Sequence, residues 1–109
     1  MDGGTIVAKD STISHSRRES NVISRGGVLR LHRCHIHSAR GDGVTLWNDT
    51  NALLDSNSIY ANYGMGVACY DDACAQLTRN RLFDNSAGIF YSTPRVGHTN
   101  MVLESNEVE

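Results

Sequence analysis

Hydrophobic positions recur along this chain with a long period. Leu31-His-Arg-Cys34-His-Ile36, Leu54-Asp-Ser-Asn57-Ser-Ile59, Leu77-Thr-Arg-Asn80-Arg-Leu82 and Leu103-Glu-Ser-Asn106-Glu-Val108 share the form L-x-x-N-x-I, with Cys34 in place of the first Asn. The copies are separated by 23, 23 and 26 residues, and a weaker copy containing Ala8, Ser11 and Ile13 lies one step before them. Between them runs a second phrase: Gly43-Val-Thr-Leu46, Gly66-Val-Ala-Cys69 and Gly88-Ile-Phe-Tyr91. Each opens on Gly and then alternates inward and outward positions, as a half-buried strand does. No stretch offers the 10 to 12 residues at 3.6 periodicity that a helix needs. Fixed-period self-similarity signals a solenoid, so the repeat predicts four to five coils of short strands joined by Gly and Asn turns.

Leucine-rich repeats compete, because L-x-x-N-x-I and a period in the twenties suit them too. The second phrase decides against a horseshoe: Ile59 is followed within eight residues by Gly66 and another alternating strand, where a horseshoe would place a helical segment. From about Val22 to Val108, the Asn-x-Ile phrase followed by Gly-Val or Gly-Ile resembles the parallel β-helix repeat family. That type is seen in carbohydrate-binding proteins, sugar hydrolases of the pectin-lyase-like superfamily, NosD-like periplasmic proteins and certain F-box proteins. The resemblance implies an all-β, right-handed parallel β-helix. It does not choose a function, because such folds carry lyases, hydrolases, epimerases and non-catalytic binders.

Stacked coils sit about 4.8 Å apart, so the repeat step turns sequence into columns. The expected core columns are Ala8, Leu31, Leu54, Leu77 and Leu103; Ile13, Ile36, Ile59, Leu82 and Val108; Val44, Val67 and Ile89; and Leu46, Cys69 and Tyr91. Asn57, Asn80 and Asn106 form a turn column in which stacked amides satisfy one another, and Asn suits the left-handed bends that such turns need. An open solenoid exposes strand edges and core at both ends, and the sequence supplies no evident cap. The reading therefore treats residues 1–109 as a single β-helix segment. It belongs to a longer solenoid or protein, or its ends are covered by a partner or another copy.

The 109 residues hold 10 Lys plus Arg and 12 Asp plus Glu, a formal net charge of −2. This is one domain's worth of chain, with no general field to attract nucleic acid or an anionic membrane. No window approaches a membrane span and Met1-Asp-Gly-Gly is unlike a signal peptide, so the expected location is cytoplasmic. Cys34, Cys69 and Cys74, an odd number, read as reduced thiols.

Trp47 and Tyr70, with Phe90 nearby, are expected to point outward on one face. Asn48, Asp49, Asp71 and Asp72 lie beside them. Aromatic rings flanked by carboxylates suit a protein contact, and they suit a glycan. Trp47, Tyr70, Asp49, Asp71 and Asp72 are thus the expected binding surface, on a non-catalytic scaffold or recognition segment with no cofactor. The alternative is a carbohydrate-active lyase, hydrolase or epimerase in which Asp49 and Asp72, one coil apart, act as acid and base or hold calcium. Against it, the Asp-Asp pair is the one element here of the polygalacturonase-like motif set, and the epimerase-like Tyr-Gly-x-Asp-Pro-His is missing after Tyr63-Gly64. His32, His35 and His37 do not share one parity, which disfavours zinc and leaves them as exposed turn residues.

Overall fold

The computed structural model describes residues 4–17, 19–47, 50–70, 73–91 and 101–108. It is a parallel β-helix whose strands fall into three sheets, one on each wall of the solenoid. The first sheet stacks β1 (Thr5–Lys9), β4 (Val28–His32), β7 (Asn51–Asp55), β10 (Cys74–Thr78) and β13 (Met101–Glu104). The second stacks β2 (Thr12–Ser14), β5 (His35–His37), β8 (Ser58–Tyr60), β11 (Arg81–Phe83) and β14 (Glu107–Val108). The third stacks β3 (Val22–Arg25), β6 (Val44–Trp47), β9 (Met65–Cys69) and β12 (Ala87–Tyr91). Every pairing is parallel, and no helix occurs among the described residues, which excludes the horseshoe.

The register reproduces the columns. Ala8 pairs with Leu31, Leu31 with Leu54, Leu54 with Leu77, and Leu77 with Leu103. Ile13, Ile36, Ile59, Leu82 and Val108 follow one another in the second sheet, and Val22, Val44, Val67 and Ile89 in the third. Leu31, Leu54, Leu77, Ile36, Ile59, Leu82, Val44 and Val67 are buried in one continuous core. Burial of each large side chain is worth roughly 1.5 to 3 kcal/mol, which offsets the ordering of such short strands. The imperfect first copy is a full coil of three strands: four complete coils are followed by the two strands β13 and β14.

The corner between the first and second sheets is an amide ladder. Asn80 Oδ1 accepts from the Asn57 backbone N–H and from Asn57 Nδ2, both at 2.9 Å, while Asn80 Nδ2 donates to Leu54 O at 2.8 Å. Asn106 repeats this toward Asn80 and Leu77. Asn57 and Asn80 are buried, so the ladder meets the demand that buried polar groups be paired. One expectation needs correcting: the Asn residues are not the left-handed ones. Positive φ falls on the residue before each ladder position, at Arg33, Ser56, Arg79 and Ser105. The bend is made there, leaving the next residue to turn its amide along the solenoid axis. Asn62 and Asn85 build a second ladder at the next corner, again after positive-φ Ala61 and Asp84.

Gly43, Gly66 and Gly88 open the third-sheet strands for want of space. A Cβ on Gly66 would lie 2.7 Å from Gly88 O and 2.8 Å from a Leu82 methyl. Only hydrogen fits where one coil's backbone meets the next coil's core.

Candidate functional site: the aromatic strip beside the third sheet

Alternation along the third sheet sends Val44, Leu46, Val67 and Cys69 inward, and leaves Trp47 and Tyr70 to point outward one coil apart. Their rings stack with centroids 4.2 Å apart and planes 16° from parallel. Phe90, on β12, tilts against Tyr70 at 5.5 Å and 43°. Arg25 pairs with Trp47 in the strand register and heads the column. Because coil spacing presses ring on ring, the faces of Trp47 and Tyr70 are turned toward each other, and the strip offers mainly ring edges outward.

The strip has a rigid base. Thr50 is buried where β6 leads into β7, with its Oγ1 2.8 Å from Trp47 O and accepting the Gly26 N–H at 2.7 Å; this ties the Trp47 backbone to the coil before it. Cys69 is buried in the core behind Tyr70, and burial pushes its thiol up to about 12, helped by the nearby Cys74. Such a thiol is a small hydrophobe without nucleophilic character at neutral pH. The Tyr70 hydroxyl is also raised, first by burial and then by the negative charge of Asp42 and by Cys69, so it is a protonated phenol at neutral pH.

Asp42 is the site residue that the sequence did not signal. Its Oδ1 accepts the Met65 N–H at 2.7 Å, its Oδ2 accepts from Thr45 Oγ1 at 2.9 Å, and its own N–H donates to Ser20 Oγ at 3.1 Å. Ser20 and Thr45 hydroxyls are hydrogen-bonded to each other. A Cβ on Gly64 would come within 2.3 Å of the Asp42 carboxylate, so this glycine makes room for it. The group spans three coils and sits in a Gly-Asp-Gly segment that reads as an ordinary turn.

Of the residues expected to form the surface, the structure brings Trp47 and Tyr70 together. Asp49, Asp71 and Asp72 lie outside the described residues; Asp49 follows Trp47 by two positions and Asp71 follows Tyr70 directly in the chain. The histidines differ from the turn reading. His32 is on β4 and His35 and His37 are on β5. His32 Nδ1 lies 2.9 Å from Asp55 Oδ2, whose other oxygen accepts from Arg79 at 2.8 Å. Among the described residues no group of three His, Cys, Asp or Glu is placed to hold a metal ion.

His37 belongs to a second ring column, on the outer face of the second sheet, that sequence reading missed. His37 stacks on Tyr60 at 4.8 Å and 7°, Tyr60 stacks on Phe83 at 4.8 Å and 6°, and the Arg81 guanidinium lies 4.7 Å from the Phe83 centroid. His15 meets His37 edge-on at 5.5 Å. The signal was available: 37, 60 and 83 are successive steps of 23. A half-buried column of stacked rings adds about 0.5 to 1.5 kcal/mol per pair to coil stacking.

The right-handed β-helix region family matches residues 1–109, and the chain belongs to that family. No curated protein and no solved structure matches the chain.

Proposed function

We propose that this chain is a non-catalytic β-helical recognition segment, docking a protein partner through Trp47, Tyr70 and Phe90 and the connections next to them. The supporting observation is the coincidence of two features at one corner. Stacked aromatics stand on rigid strands, and the connections from the third sheet to the first vary from residues 26–27 to residues 92–100 while the other corners repeat. Variable loops on an invariant scaffold are where recognition residues concentrate. Large aromatics with polar neighbours are the anchors of protein interfaces.

A protein is favoured over a glycan by ring orientation. A sugar ring packs on an exposed aromatic face, and here the facing surfaces of Trp47 and Tyr70 are spent on each other. Asp49, Asp71 and Asp72 then act as polar surroundings of the anchors. The test is affinity capture with the wild-type chain and with Trp47→Ala, with circular dichroism to confirm that the variant keeps its β spectrum. A partner captured by wild type and lost, by roughly tenfold or more in affinity, in the folded variant supports the reading. Turnover of uronic polysaccharides that disappears in Asp72→Asn would replace it with the carbohydrate-active alternative, and binding on a glycan array would replace the protein partner with a sugar.

A further inference from the structure

The two end faces of the solenoid complement each other. The face formed by β1, β2 and β3 contains an apolar pit of about 220 Å³, lined chiefly by Ile6, Ala8, Ile13, Val22, Leu29 and Leu31. It exists because Ala8 occupies a column otherwise filled by Leu31, Leu54, Leu77 and Leu103, and so lacks the branched side chain that closes each coil above. Ile6, at its rim, is 43% exposed. The opposite face, formed by β13 and β14, presents the same columns as projections: Leu103 is 54% exposed and Val108 48%.

We infer that this chain binds a second copy of itself head to tail, the β13–β14 face of one copy seating on the β1–β2 face of the next in the register of the internal coils. One more step of that register sets Leu103 over the partner copy's Ala8 and Val108 over its Ile13, which fills the pit with the side chain its column lacks. Asn106 meets Ser11. Within the chain the ladder amide of each coil donates to the side chain of the next, as Asn80 N does to Asn106 Oδ1 at 2.9 Å; Ser11 Oγ supplies the next acceptor for Asn106 N. The charges agree as well. Lys9, His32, Asp55, Thr78 and Glu104 form one outward column. Its neighbours already pair where their signs permit, His32 with Asp55 at 2.9 Å. Continuing the column places Glu104 beside Lys9. The contact is heterologous, so it extends into short chains of copies rather than closing as a two-fold dimer. It is independent of the aromatic strip, which lies on a side wall.

Analytical ultracentrifugation of the 109-residue protein tests this. The weight-average sedimentation coefficient is expected to climb with concentration through a series of species. Ile6→Arg spoils one face and Leu103→Arg the other, so each variant alone is monomeric, whereas an equimolar mixture joins the two intact faces into a one-to-one dimer and stops there. Lys9→Glu, a surface change that leaves the core alone, weakens association roughly tenfold, and adding Glu104→Lys to the same chain restores it. A wild-type chain that stays monomeric across the range overturns the inference. So does a single-face variant that dimerises with itself, or a mixture of the two variants that does not associate.

Discussion

Two corners of the same solenoid are built on opposite plans. Between the first and second sheets every coil turns in two residues: Arg33–Cys34, Ser56–Asn57, Arg79–Asn80 and Ser105–Asn106. Between the third and first sheets the connections run 26–27, 48–50, 70–73 and 92–100, and lengthen from coil to coil. The first corner is uniform because its side chains are buried and bonded to the coils on both sides, so an extra residue would push an amide out of the ladder. The second has no bonded side-chain column shared by all its coils, and each extra residue goes outward at small entropic cost. Register is held at one corner, which leaves the other free to vary, and the aromatic strip stands beside the free one.

Asn80→Ala attacks the uniform corner where it is most deeply committed. It leaves the Asn57 N–H, the Asn57 side-chain amide and Leu54 O without their partners in a buried setting. At about 1 to 3 kcal/mol per orphaned group, with partial relaxation, the expected loss is on the order of 3 to 5 kcal/mol, a large share of a small domain's stability. Chemical denaturation would measure it. A loss below about 1 kcal/mol would mean that the ladder does not hold the register.

Cys34→Asn sharpens the same contrast with the opposite sign. Cys34 occupies the ladder position, where its Sγ makes long contacts to Ala8 O at 3.6 Å and His32 O at 3.5 Å, while its backbone N–H already donates to Asn57 Oδ1 at 2.9 Å. An amide there can donate to Ala8 O and accept the Ser11 N–H, as Asn80 does for Leu54 and Asn57. The variant is expected to gain about 1 kcal/mol, seen as a higher denaturation midpoint at unchanged slope. Smallest of all is an insertion of two Gly within residues 92–100. It should cost no more than about 0.6 kcal/mol. The same insertion between Arg79 and Asn80 should abolish cooperative unfolding, and equal tolerance at both corners would erase the distinction.

The walls and core of this fold were legible because one structural position repeats one residue type. Leu follows Leu in the first sheet, Ile follows Ile in the second, and Gly heads each third-sheet strand, so a 23-residue step carried register and burial together. What escaped is what changes chemistry from coil to coil. The His37, Tyr60 and Phe83 column is one position filled by three residue types, alike only in having flat rings. The left-handed bend falls on Arg, Ser, Arg and Ser, none of which advertises it. Asp42 draws its partners from Ser20, Thr45 and Met65, on three different coils, a convergence that no local motif encodes. Trp47 and Tyr70 were readable as neighbours from spacing alone. That their rings face each other, which turns the balance toward a protein partner, required the coil spacing and the side-chain torsions.

The Asn ladder has a sense. Each ladder amide N–H donates forward to the next coil's side-chain oxygen, and each amide nitrogen reaches back to a carbonyl of the coil before it. Repeated from coil to coil, these one-way bonds give the protein a polarity along its axis, much as a ratchet has a direction. A strand laid antiparallel against either end would find neither the oxygen nor the carbonyl where the ladder needs them.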